Sequence, residues 1–178
     1  MGLFNRKPKL PPAVRPPLEA DERVLAWAAA GNGEGDGVVV ASNRGLWLPG
    51  RPHRIGWHDI LKATWSGREL TVTPAVPVAE RDGYLVVADG PAETYLLVDP
   101  GDVPNQVRAR VTRSVAYTRQ HVLPGGSGRI AARRVAGVDG LSWTIRYDPG
   151  TSADDADVRA ETDALVAAAR AATAPADV

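Results

Sequence analysis

The sequence predicts an α+β protein: a meander of short strands closed by one amphipathic helix, with a C-terminal strand–strand–helix (ββα) appendage. Three observations predict it. From Asp21 to Val98, short apolar runs rich in β-branched and aromatic residues alternate with Gly, Asn, Asp and Pro turn residues. The apolar period then changes to four, with valines at 103, 107, 111 and 115. Beyond a Gly-rich stretch, a strictly alternating segment precedes an acid-started, alanine-rich run.

In chain order, residues 24–28 (VLAWA) and 38–41 (VVVA) read as strands flanking a loop with Gly at every second position. Ser42-Asn43-Arg44-Gly45 is a tight turn into residues 46–48, and Pro49-Gly50-Arg51-Pro52 ends that strand. Residues 54–57 and 60–65 are short strands, and Ser66-Gly67-Arg68 turns the second into residues 69–73. Residues 74–82, interrupted by Pro74 and Pro77, read as a loop. Residues 84–87 and 94–98 are expected to pair across Asp89-Gly90-Pro91. This makes about eight strands, the spacing of a barrel or sandwich.

Asp102 is a candidate N-cap for a helix that tolerates Pro104 in its first turn and should run to about His121. Residues 125–128 (GGSG) read as a flexible linker. Residues 129–135 and 141–147 are two strands, with Asp139-Gly140 the strongest hairpin signal in the chain. In the second, Leu141, Trp143, Ile145 and Tyr147 alternate with polar residues, so one face must be covered. A helix starts near Asp154, with Val158, Thr162, Leu165, Val166, Ala169 and Ala172 along one face. The expected organisation is a basic, Pro-rich leader over 1–20, the meander over 21–122, a linker over 123–128, and the appendage over 129–174, packed on the meander because it is too small to stand alone.

The meander with one closing helix resembles the bacterial pleckstrin-homology-like (PH-like) domain. The resemblance rests on Val38-Val39-Val40-Ala41-Ser42-Asn43-Arg44-Gly45-Leu46-Trp47-Leu48, followed by residues 54–60 and 67–72. It implies a small, bent β-barrel closed at one end by the helix, used for binding or scaffolding rather than catalysis. Eukaryotic relatives recognise lipid headgroups through basic residues in the first strand–strand loop. Here that loop carries Glu34 and Asp36 and no basic residue, which opposes phosphoinositide binding.

Composition narrows the chemistry. The 178 residues contain no cysteine, so disulfides, thiolate nucleophiles and zinc-thiolate sites are excluded. Only three of the 21 basic residues are lysines, a bias that fits a GC-rich, actinobacterial-type coding genome. His53, His58 and His121 form no metal-ligand spacing, and His58 and Asp59 would point to opposite faces of a strand. Asp154, Asp155 and Asp157 suit a helix N-terminus and lack the pattern of a calcium loop. No serine sits in a G-x-S-x-G elbow. No cofactor and no metal site are expected.

The net charge of +0 averages over blocks of opposite sign. Residues 1–16 hold four basic groups and no acid; residues 17–102 are acidic by six; residues 139–178 are acidic by five. Residues 103–138 carry seven arginines, Arg108, Arg110, Arg113, Arg119, Arg129, Arg133 and Arg134, with no acid. These seven are the candidate partner-binding residues. Their spread around the helix, and the lone interleaved Tyr117, disfavour nucleic acid.

Leu3, Phe4, Arg6, Lys7 and Lys9 are candidate contacts for an anionic membrane surface. The start has no signal-peptide apolar stretch, and no run approaches the ~18 residues of a spanning helix. The expected location is cytoplasmic, at most peripheral to the inner face of the membrane. The leading functional reading is a non-catalytic module that binds a protein partner or itself. Peripheral membrane attachment is the second. An enzyme of unknown type is the third, and would need a deep pocket holding His58 or His121 among carboxylates.

Overall fold

A computed structural model describes residues 8–31 and 36–175. It is a mixed α+β protein in which one large sheet carries two helices. Among the described residues eight strands precede the first α-helix: β1 (Val24–Gly31), β2 (Asp36–Ser42), β3 (Gly45–Trp47), β4 (Ile55–Gly56), β5 (Ile60–Trp65), β6 (Glu69–Arg81), β7 (Tyr84–Asp89) and β8 (Glu93–Val98). Then follow α1 (Val103–Ser114), β9 (Val115–Leu123), β10 (Gly126–Arg134), β11 (Leu141–Tyr147) and α2 (Ala156–Thr173). The strand order is β4-β3-β2-β1-β8-β6-β7-β11-β10-β9, with β5 on the free side of the first half of β6.

The sheet is not closed into a barrel, which corrects the expected closure. Between β4 and β5 the chain makes a 3-10 turn over Trp57–Asp59 instead of continuing as strand. That turn places Trp57 in the seam, 4% exposed, where its Nε1 donates to the Ser42 carbonyl at 3.1 Å. The helix α1 covers the first core. Its Val103 and Val107 are buried and Val111 packs beside them, against the alanines at 26, 28 and 30 and against Leu46, Ile55, Leu70 and Tyr95. The small alanine face of β1 lets the helix approach the sheet closely. Gly45 is a second close approach, because a Cβ there would run into the Ile55 carbonyl oxygen. Gly45→Ala is therefore expected to lower stability by about 1–3 kcal/mol in urea unfolding.

Four local expectations change. The loop expected over 74–82 is part of β6 as far as Arg81, and Asp82 begins the turn to β7. Pro74 and Pro77 are tolerated because the ladder shifts register beside each of them and the other edge of β6 is unpaired beyond Pro74. β7 and β8 do not pair with each other; both follow one edge of β6, and the Gly90 N–H donates to the Pro74 carbonyl at 2.8 Å.

α1 ends at Ser114, seven residues before the expected His121. The next residues include Val115, Tyr117 and Thr118, which suit a strand, and β10 supplies their ladder partners. The linker expected over 123–128 is a hairpin turn: Leu123 pairs with Gly126 across Pro124-Gly125, with Gly125 at φ +69°.

The appendage thus has three strands and a helix, and joins the main sheet through parallel pairing of β11 with β7. Its core lies between this sheet and α2: Tyr84, Val86, Ile130, Ala132, Trp143 and Ile145 against Val166 and Ala169. Asp155 caps α2, accepting from the N–H groups of Asp157 and Val158. Arg81 locks the layer, donating to Tyr147 at 2.7 Å and to the Ala153 carbonyl at 2.7 Å. Tyr84 donates to Asp163, and burial raises its pKa to about 12.

Candidate functional site

Strand alternation decides where the seven arginines go. On β10, Ile130 and Ala132 face α2, so Arg129 and Arg133 face the opposite, uncovered side. Arg134 lies on the α2 side, at the end of α1, where its Nη1 donates to the carbonyls of Arg113 and Val115. Arg119, opposite Ile130, is also on the α2 side. Arg108 and Arg113 are exposed on α1, while Arg110 is half-buried and its Nε has no partner among the described residues. The candidate partner-binding block is therefore divided between two sides of a sheet and a helix. It does not form one surface.

Two of its members meet an arginine from outside it. The register of β10 with β11 sets Arg129 directly opposite Arg146. The uncovered face of β7, β11 and β10 meets β5 in a groove of about 100 Å³. Leu61, Val87, Val115 and Ala131 form its apolar walls, and Thr118, Thr144, Arg129, Arg133 and Arg146 supply its polar groups. Arg129 donates to the Thr118 hydroxyl at 3.3 Å. Arg146 pairs with Asp89 at 2.8 Å.

Arg133 reaches under β5: its Nη1 donates to the Ile60 carbonyl at 2.9 Å and to the Ser114 hydroxyl at 3.1 Å. Both acceptors are uncharged. Burial holds the Arg133 pKa below the ordinary arginine value; Asp59 offsets this in part and the charge of Arg146 adds to it. Among the described residues, no carboxylate lies within 4.0 Å of any of the seven block arginines.

Four acids of the N-terminal half are committed elsewhere. Glu19 pairs with Arg44 and Arg54, Asp21 with Arg44, Glu22 with Arg54, and Glu93 with both ends of the Arg51 guanidinium at 2.9 Å. A larger open cavity, about 420 Å³, lies beside this network and is lined in part by Trp47, His53, Arg54 and His58.

Its histidine geometry corrects the expectation that His58 and Asp59 diverge. They sit in a 3-10 turn, not a strand, and His58 Nε2 lies 3.2 Å from Asp59. The other ring nitrogen, Nδ1, is buried with no partner among the described residues and packs against Gly56. His121 is half-buried on the α2 side of β9, away from this cavity; burial first, then Arg119, lowers its pKa, with Glu161 opposing. Among the described residues, no group of three or more His, Asp or Glu is placed to hold a metal ion.

Of the candidate membrane contacts, Leu3, Phe4, Arg6 and Lys7 lie outside the described residues; Lys9 is exposed. Among the described residues, no helix is long and apolar enough to cross a membrane. Arg146 is the groove residue that the charge-block reading missed. Its signal was the polar face of β11, Ser142, Thr144 and Arg146, which must lie opposite the polar face of β10 in a hairpin. No family model, no curated protein and no solved structure matches the chain.

Proposed function

We propose that the protein is a non-catalytic interaction module that binds an acidic protein partner through its arginine-bearing surfaces. One observation carries this reading: the arginines of α1, β9 and β10 have no carboxylate in ion-pair range among the described residues, whereas Arg44, Arg51 and Arg54 of the N-terminal half each pair with acids of that half. Unpaired guanidiniums suit recognition of carboxylates on another chain. What supports the PH-like reading of residues 21–122 is the antiparallel order β4-β3-β2-β1-β8-β6-β5 with α1 over its core; β7 and β9 lie outside that order, beside the strands that α2 covers, and no ladder joins β4 to β5.

The state of His58 supports a binding role over catalysis at that residue. A general base needs an accessible lone pair. His58 has one nitrogen beside Asp59 and the other buried against Gly56.

The test compares the wild-type protein with a variant carrying Arg108→Glu, Arg113→Glu and Arg119→Glu. All three side chains are exposed, so the fold should survive. The expected result is capture of a defined acidic protein at low salt, lost at high salt and lost by the variant. Identical capture by both proteins, or no capture by either, would overturn the reading. An equal shift of both proteins toward dimer would assign the surface to self-association away from these arginines, and would also overturn it.

A further inference from the structure

We infer that the groove between β5 and the uncovered face of β7, β11 and β10 binds a small tetrahedral oxyanion of the phosphate class, between Arg129 and Arg146 and with Arg133 as a third donor. The argument starts from a cost. Arg129 and Arg146 stand directly opposite each other on neighbouring antiparallel strands. Like charges in that relation destabilise a sheet. Arg133, four residues from Arg129 on the same strand face, adds a third guanidinium to the same groove.

Among the described residues one carboxylate, Asp89, pairs directly with this group, through Arg146. Asp59, whose charge acts on Arg133, sits beside His58 and is not in ion-pair range of Arg133. The bonds that Arg133 makes to protein come from Nη1 and go to uncharged acceptors. Its Nη2 and Nε have no protein acceptor among the described residues. A charge that is partly desolvated and only partly offset by Asp59 at a distance is costly, and a bound anion lowers the cost.

Size and donor type select the ligand class. The groove volume of about 100 Å³ is room for roughly three waters and far below that of a drug-sized site. A single oxyanion fits such a volume. The Arg129 guanidinium leans toward Thr118 of β9 and that of Arg146 toward Asp89 of β7, with Arg133 lining the groove beside them, so a bound anion must accept from several directions; a tetrahedral dianion does so, whereas one planar carboxylate accepts in a single plane. The hydroxyls of Thr118 and Thr144 line the same groove.

The test is a titration of the full chain, labelled at the arginine Nε, with sodium phosphate at constant ionic strength made up with chloride. The expected result is saturable shifts at Arg129, Arg133 and Arg146, none at exposed Arg68 and Arg159, and weaker shifts with acetate. Arg129→Gln, an exposed position, should weaken the phosphate affinity by about tenfold or more. Arg129→Lys, which keeps the charge but loses the fork, should fall between the two.

Linear shifts of equal size at Arg68 and Arg159, no shifts at all, or an unchanged affinity in Arg129→Gln would each overturn the inference. Sedimentation with phosphatidylcholine vesicles containing phosphatidic acid separates the two sources of such a group. Pelleting that Arg129→Gln abolishes assigns it to a lipid headgroup, and phosphate binding without pelleting assigns it to a soluble phosphate. The inference does not depend on the protein-partner reading, because the Arg108, Arg113 and Arg119 variant leaves the groove intact and should titrate as the wild type does.

Discussion

Glu22→Ala is expected to cost about 3–5 kcal/mol of unfolding free energy, the largest loss for any polar residue described above. The Glu22 side chain is completely buried. It accepts from the Ser42 hydroxyl at 2.5 Å and from Trp47 Nε1 at 2.9 Å, and it pairs with Arg54 at 3.1 Å. Its removal opens a cavity and leaves the Trp47 indole N–H without its acceptor, while the Ser42 hydroxyl falls back on the Gly45 carbonyl and Arg54 on Glu19. Glu22→Gln keeps an acceptor for Ser42 and Trp47 and should cost less. Urea unfolding of the two variants beside the wild type measures both, and a loss under about 1 kcal/mol for the alanine variant would remove Glu22 as the organising group.

The same residue sets an acid sensitivity. Burial by itself would raise the Glu22 pKa, but the hydrogen bonds from Ser42, Trp47 and the Glu19 N–H, with the charge of Arg54, outweigh it and hold the carboxyl below its ordinary 4.5. The folded-state value is therefore the lower one. Its stabilising contribution is complete above the ordinary value and is lost as pH falls through the folded value. The drop in stability on acidification should be smaller in Glu22→Gln than in the wild type.

Trp57→Ala should cost a comparable amount, about 3–5 kcal/mol. Trp57 fills the seam that a closing strand pair would otherwise occupy, and its ring packs in the first core with Ile55, Ile60 and Val107. Its deletion opens a cavity where the sheet has no ladder to hold it shut. Trp57→Phe retains most of the packing and loses the hydrogen bond to the Ser42 carbonyl, a net effect of about 1 kcal/mol. Equal losses in the two variants would show that the bond, not the volume, holds the seam.

The candidate site was partly legible. The seven arginines were visible as a block without acids, and the polar alternation of residues 142, 144 and 146 was visible as a strand face. Their meeting was not, because it depends on register. A two-residue turn at Asp139-Gly140 would set Arg133 opposite Arg146. The actual connection spans six residues, 135–140, with Gly137 and Gly140 at positive φ, and sets Arg129 there instead. The His58–Asp59 contact was missed for a related reason. Two-residue alternation holds on a strand, and the 3-10 turn that brings Trp57 into the seam breaks it.

What the sequence determined by itself is the local alphabet. Apolar alternation makes eight strands before the first helix, the valines at 103 and 107 make its buried stripe, and Asp155 with Val158, Thr162, Val166 and Ala169 make α2. These follow from nearest-neighbour geometry, in which a period of two or of about 3.6 decides which side chains share a face. Only the tertiary structure decided where α1 stops, that two prolines lie inside β6, that β7 and β8 share one edge, and that the barrel stays open. Each of those depends on hydrogen-bond partners distant in sequence: β10 for residues 115–123, β6 for both β7 and β8, and the Trp57 turn in place of a ladder between β4 and β5. A backbone group takes the partner that its surroundings offer, and one strand's own residues do not specify it.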